Sequence, residues 1–449
     1  MSLPHYPEYK DSGELWMAQV PSHWQVLKGA HIGRLFGSEA VPENSVLEDG
    51  SLPFIKVGSL SLDTLEIASW DWYVDELTAA RATPRNNFIV FPKRGAAIFS
   101  NKVNIVGRPS LIDPNLMGWE IGPRAIAKFI AYSIKARKLG QLADVSTVPQ
   151  INNKHIEPEK FPVPPLSEQF SIVAFLDRET NKLDALVSEQ EKLLTLLAEK
   201  RQATISHAVT RGLNPSVATK DSGVAWLGQV PQHWEVKRLK HVGNAIIGLT
   251  YDPEEVATED DGVLVLRSSN VQNGKITLED NVYVAKDIPP KLRTLDGDIL
   301  ICSRNGSRNL IGKNAKLSKD NEGLTFGAFM TIFRSKFNNY LFWAFNSQVF
   351  SFQSGTFLTS TINQLTVGNL YSFEIPIPPM DEQKSIADFL ERETERLDAL
   401  TAEAERAIQL LKERRSALIA AAVIGKIDVR DAVGATASSA DLTTPSVVE

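Results

Sequence analysis

One stretch free of proline and glycine occurs twice in this chain, and that duplication limits the fold more than any other feature. The first copy follows Pro164-Pro165-Leu166-Ser167-Glu168-Gln169, and the second follows Pro378-Pro379-Met380-Asp381-Glu382-Gln383. At an offset of 214, Ile172 falls on Ile386, Phe175-Leu176 on Phe389-Leu390 and Leu183-Asp184-Ala185-Leu186 on Leu397-Asp398-Ala399-Leu400. Each copy is rich in Ala, Leu, Glu, Lys, Arg and Gln and runs on to Arg211-Gly212 or Gly425-Lys426, a composition that favours helix.

The register within each copy alternates steps of three and four. It predicts an apolar seam through Leu176, Leu183, Val187, Leu194 and Leu197 in the first helix, and through Leu390, Leu397, Ile408, Leu411 and Leu418 in the second. A seam with a 3.5-residue period wants a partner helix. At about 1.5 Å per residue each helix runs about 60 Å, more than one small domain covers, so the economical partner is the other copy. The paired prolines hold the chain extended and set where each helix begins. Ser167 and Asp381 are expected as N-caps.

A second duplicated block opens each half. Lys10-Asp11-Ser12-Gly13, Trp16, Val20-Pro21, His23-Trp24 and Val26 recur as Lys220-Asp221-Ser222-Gly223, Trp226, Val230-Pro231, His233-Trp234 and Val236, an offset of 210. Such a period is too long for a solenoid and describes two copies of a domain-plus-helix module. Each His sits in a turn between Pro and Trp, with no second ligand at metal spacing, and is expected to have a structural role.

Between block and helix, each module carries about 140 residues with short β-type runs, such as Ile89-Val90-Phe91 and Ile299-Leu300-Ile301, punctuated by Gly, Asn, Asp and Pro. Arg81 with Lys291, Arg94 with Arg304, Thr147 with Thr361 and Gln150 with Gln364 still correspond. The first half reads Asn87-Phe88-Ile89 where the second reads Gly297-Asp298-Ile299, a tight turn before a strand, so the local loops need not superpose. The expected fold is α+β: two mixed α/β globular domains in a pseudo-two-fold arrangement, joined by two long antiparallel coiled-coil helices. The expected division is a first domain 1–165, a first helix 166–211, a second domain 212–379, a second helix 380–425 and a disordered tail 426–449.

The 449 residues are 43% apolar, enough for two or three cores, and carry a net charge of −6. Cys302 is the only cysteine, which excludes an intramolecular disulfide framework and a thiolate-rich zinc site. With no basic-plus-apolar leader and no run of about 18 apolar residues, a cytoplasmic protein without membrane contact is expected. Charge distribution says more than total charge. Leu77 to Ile112 contains Arg81, Arg85, Lys93, Arg94, Lys102 and Arg108 and no acid. Lys291 to Lys319 contains Lys291, Arg293, Arg304, Arg308, Lys313, Lys316 and Lys319 against Asp296 and Asp298. Two basic clusters at equivalent places in an acidic protein point to phosphate neutralisation, with Arg94, Arg304, Asn305 and Arg308 able to address base edges. Gly95 and Gly306 would let the backbone approach a ligand.

Enzyme motifs are absent. Gly306 to Asn314 imitates a phosphate loop but has one residue too many and Asn where the hydroxyl belongs. No metal ligands, dinucleotide turn or nucleophile–base set is suggested by spacing. Two rival readings stand beside DNA recognition: a coiled-coil scaffold whose globular ends bind proteins, and an enzyme with dispersed catalytic residues.

The two duplicated blocks together resemble the specificity subunits of type I restriction–modification systems, over residues 10 to 430. The resemblance implies a chain without an active site or cofactor, whose two domains each bind half of a bipartite, asymmetric double-stranded DNA site, with the helices fixing the gap. It further implies two methyltransferase subunits per chain, which hold S-adenosylmethionine, and a motor-nuclease subunit that uses ATP.

Overall fold

The computed structural model describes residues 4–39, 41–144, 148–357 and 363–431. These fall into two compact units, Met1–Glu191 with Arg406–Glu449, and Lys192–Glu405. Thr147, Thr361 and the tail beyond 431 lie outside the described residues.

The long helices span Leu166–Arg211 and Met380–Val423. They begin directly after the proline pairs, so Ser167 and Asp381 lie one residue inside the first turn and are not the caps expected of them. Pro165 instead accepts from Glu168 N at 3.0 Å and Pro379 from Gln383 N at 2.9 Å. Both helices stop on a left-handed glycine, Gly212 with φ +75° and Gly425 with φ +73°, the backbone that an αL helix terminus requires.

Each unit contains the start of one long helix and the end of the other. In the first unit, Ile172, Val173, Phe175 and Leu176 share a core with Ile419, Ala422 and Val423. In the second, Ile205, Ala208 and Val209 share one with Ile386, Ala387 and Leu390. Asp184 further pairs with Arg415 in the first unit and Arg201 with Asp398 in the second, so within each unit the partner number falls as the helix number rises and the pairing is antiparallel. Of the predicted seam residues, Leu176, Leu183, Leu197, Leu390 and Leu397 are buried, and Val187, Leu194, Ile408, Leu411 and Leu418 are half-buried.

The two globular middles share one topology. In the first unit a four-stranded antiparallel sheet runs in the order Gly33–Phe36, Leu116–Ile121, Phe88–Pro92, Asn104–Val106. Its counterpart in the second is Asn244–Ile247, Met330–Arg334, Ile299–Cys302, Asn314–Lys316. A second sheet orders Leu111–Ile112, Leu52–Ile55, Tyr73–Val74, Val46–Leu47, and is repeated as Thr325–Phe326, Val263–Leu266, Tyr283–Val284, Val256–Ala257.

Register is kept where side chains are not. Gly118 faces Phe36 and Val90, while Ile332 faces Ile246 and Leu300. A Cβ on Gly118 would come within 2.1 Å of the Phe36 ring, so a large–none pair in one sheet replaces the Ile–Ile pair of the other, at the density that cores demand. The loops before the central strands also agree: Asn87 has φ +54° and Gly297 φ +81°. Asn tolerates the left-handed region that Gly occupies freely, so the divergence suggested by their sequences does not extend to this backbone turn.

The chain remains folded beyond the second helix. Val429 is fully buried, and Asp428 N donates to Pro4 O at 2.8 Å. Residues 426–431 therefore belong to the first unit, and the disordered tail expected from 426 cannot begin there.

Candidate nucleic-acid interface

The two duplicated sequence blocks meet at one carboxylate in each unit. Buried Glu168 accepts from Tyr6 Oη at 2.5 Å and Trp24 Nε1 at 3.1 Å, and its other oxygen lies 2.9 Å from His23 Nε2. Glu382 takes the equivalent Trp and His on a single oxygen, with Trp234 Nε1 at 3.0 Å and His233 Nε2 at 2.7 Å from Oε2. Burial, together with the bond to Glu168, pushes the Tyr6 phenol far above its ordinary range, so the hydroxyl stays a donor. The His residues thus fasten the opening block to the start of a helix, the structural role their context suggests. Gln169 completes the junction, accepting from Ile126 N at 2.8 Å and donating to Pro164 O at 2.8 Å.

The first basic cluster divides into exposed and engaged cations. Arg81 ends the short helix Glu76–Arg81 and is exposed, as are Arg94 and Arg108. Arg108 lies over the Trp70 ring at 3.7 Å. Lys102 is half-buried. Arg85 is turned inward: it pairs with Glu120 at 2.7 Å and covers the Phe36 ring at 4.7 Å. Lys93 is half-buried, and its ammonium is held below the usual lysine range by burial and by the neighbouring Arg94 charge. Of the six predicted contacts, Arg85 therefore serves the fold.

In the second cluster Lys291, Arg304 and Arg308 are exposed. Arg293 donates to Gly323 O at 2.8 Å, Lys313 reaches Gln272 at 3.4 Å and Lys316 reaches Asn339 at 3.2 Å, so these three support loops. Asn305 is oriented by two bonds, donating to Ser268 Oγ at 3.1 Å and accepting from Ser307 N at 2.9 Å. Arg304 lies 5.1 Å over the Phe329 ring. Both belong to a cleft of about 1180 Å³ whose other walls include Tyr251, Arg267, Ser269 and Gln364. Arg267 is paired with Asp280 at 2.9 Å, yet its Nε, like Ser269 Oγ, is buried without a partner. The cleft offers hydrogen-bond donors, aromatic faces and one tethered carboxylate, the mixture that base edges and phosphates require.

Sequence reasoning missed the aromatic partners. Lys56 sits 3.6 Å over Trp72, two residues along the chain from the Trp70 that Arg108 covers, and Phe329 is more than half exposed. Each cation is far from its ring in sequence, so neither periodicity nor charge density reveals the pair. It also gave no role to Arg201 and Arg415, which stand 214 residues apart at equivalent positions of the two long helices. Arg415 Nε donates to Asp184 Oδ1 at 2.8 Å in the first unit, and Arg201 Nε to Asp398 Oδ1 at 3.2 Å in the second. Among the described residues no group of three His, Cys, Asp or Glu could hold a metal ion, and no helix is long and apolar enough to cross a membrane.

Two modules of one topology, each joined to its own long helix and each bearing an exposed arginine beside an aromatic ring, define a duplicated two-module chain. The chain belongs to the family of the type I restriction modification DNA specificity domain, whose model matches it twice, over residues 21–195 and 231–410. It is similar to the specificity subunit of the type I restriction enzyme EcoKI of Escherichia coli (strain K12), 30% identical over 207 residues, and to that of StySPI of Salmonella potsdam, 32% identical over 211. Each alignment spans 44% of this chain and 44% of the relative, less than half the relatives' length. The MjaVIII specificity subunit of Methanocaldococcus jannaschii aligns further, 25% identical over 68% of this chain and 71% of its own. In fold, the chain resembles one from a study of complex assembly and conformational transition of the type I R-M system. That likeness has a TM-score of 0.71 at 14% identity, covering 91% of this chain and 99% of that one. The HsdS subunit from Thermoanaerobacter tengcongensis superposes with a TM-score of 0.52 at 14% identity, over 91% and 98%.

Proposed function

We propose that this chain is the DNA-specificity subunit of a type I restriction–modification complex, with each globular domain reading one half of a bipartite, asymmetric site. The long helices set the gap between the half-sites and form the platform on which methyltransferase subunits dock. On this reading the chain performs no chemistry itself. S-adenosylmethionine belongs to the methyltransferase partner and ATP to the motor-nuclease.

The observation that carries the reading is one topology built twice with unlike side chains around a matched arginine. Ser303, Asn305 and Phe329 surround Arg304 where Lys93, Gly95 and Asn115 surround Arg94. Equal scaffolds with unequal surfaces are what two different half-sites need, since phosphate contacts position a protein and base contacts specify. The domains at 1–165 and 212–379 are assigned one half-site each, and the exposed cations Arg81, Arg94, Arg108, Lys291, Arg304 and Arg308 supply the phosphate-neutralising charge.

The test is binding by the chain co-assembled with its methyltransferase partner at moderate salt. A single bipartite sequence should be preferred over a scrambled duplex of the same composition. Equal affinity for both would remove the proposal and favour a protein-binding scaffold.

A further inference from the structure

We propose, on the reading that this chain binds DNA, that Arg94 with Gln150 and Arg304 with Gln364 are phosphate anchors common to both domains. Discrimination between sequences then falls to the side chains that surround each pair.

The pairs are made by main-chain geometry. Arg94 and Gln150 face each other across an isolated antiparallel bridge, and so do Arg304 and Gln364. In the first domain the flanking hydrogen bonds are Gly95 N to Pro149 O and Ile151 N to Lys93 O, both 2.9 Å. In the second they are Asn305 N to Asn363 O at 3.4 Å and Leu365 N to Ser303 O at 2.7 Å. Bonds placed on either side of the facing residues mark a non-hydrogen-bonded pair, with Cα atoms about 4.5 Å apart and both side chains on one face. An arginine and a glutamine are therefore presented together, twice, by two segments far apart in sequence.

Their chemistry suits an anion. Among the described residues, neither Arg94 nor Arg304 has a carboxylate partner, and both are exposed. Each glutamine is half-buried beside its arginine and adds an amide donor. A guanidinium with its donors unspent recognises phosphate oxygens well.

Sameness decides between phosphate and base. The surroundings have diverged, with Lys93 against Ser303, Gly95 against Asn305 and Asn115 against Phe329, at backbone positions that match through Lys93 N to Asn115 O (2.8 Å) and Ser303 N to Phe329 O (3.0 Å). Two unlike half-sites cannot be told apart by an identical pair. What the half-sites share is the sugar–phosphate backbone.

The experiment uses the complete chain assembled with its methyltransferase partner, and measures affinity for the target duplex and a scrambled duplex across a potassium chloride series. Arg94→Ala and Arg304→Ala should each weaken both duplexes by the same factor, several-fold or more. The target-to-scrambled ratio should hold, and the slope of log affinity against log salt should fall by about 0.9. Phe329→Ala and Asn305→Ala should instead shrink the ratio. A collapse of the ratio in the arginine variants with an unchanged salt slope would assign them to base readout and overturn the proposal, as would no change in either duplex. A wild-type complex that fails to prefer its target would remove the DNA-recognition reading itself, a distinct outcome visible before any variant is made.

Discussion

The Trp24 ring packs against Gly425, so the opening block of the chain touches the residue that ends the second long helix. Gly425 has φ +73°, and a Cβ there would lie 2.4 Å from Pro21 Cδ and 3.1 Å from Trp24 Cη2. Gly212 meets Trp234 in the same way, at 3.2 Å from Cζ2. Gly425→Ala should therefore cost about 2 kcal/mol or more, from left-handed strain plus the clash. Gly306→Ala, with open space around it, should be near neutral. Thermal unfolding of the two variants checks the contrast.

Glu168 takes three partners in a buried setting, so its removal strands them. Glu168→Ala should cost about 2–4 kcal/mol by leaving the Tyr6 hydroxyl and the Trp24 indole unpaired. Trp24→Phe, which takes away a donor but leaves the carboxylate two others, should cost less through this network. Urea denaturation of both variants against wild type would separate the cases.

The buried seam predicts a strong penalty for charge. Leu183→Asp and Leu397→Asp each place an unpaired carboxylate where leucine is buried, at a cost of several kcal/mol. Melting temperature and co-purification with the methyltransferase should both fall. Unchanged values in both variants would argue against the helix pairing within the units.

Lys135 gives a pH signature. Its amine is buried, donates to Leu62 O at 3.0 Å, and is pushed down to about 8 by burial first and by the Arg415 charge second. An unfolded lysine titrates near 10.5, so between pH 8 and 10.5 the unfolded chain binds more protons. Stability from this group therefore rises with pH across that window and is flat below 8. Relative to Lys135→Met, the wild type should gain up to about 3 kcal/mol between pH 8 and 10.5, read from denaturant midpoints at matched pH.

The helices and the modular plan were legible because they rest on local signals: proline pairs, a heptad seam and repeated blocks all lie within short windows. Gly118 and Ile332, by contrast, hold equivalent sheet positions with no similarity in sequence, since Phe36 fills in one sheet the space that Ile332 fills in the other. The basic clusters could be read as regions, but not the fate of each cation. Arg85 is spent on Glu120, and Asp298, counted as an acid of the second cluster, is instead paired with Arg334 from outside it, through contacts 35 and 36 residues apart that charge counting cannot see. Ser167 and Asp381 look like caps in sequence, but the prolines set the first turn one residue earlier.

The most direct test of the DNA-specificity assignment is a genome-wide map of methylated bases in cells carrying this gene with its methyltransferase partner, set against a deletion of this gene alone. The assignment predicts that one split motif with a fixed gap disappears on deletion, and that exchanging residues 212–379 for those of a relative changes one half of the motif only. Methylation that persists unchanged without this chain would contradict it.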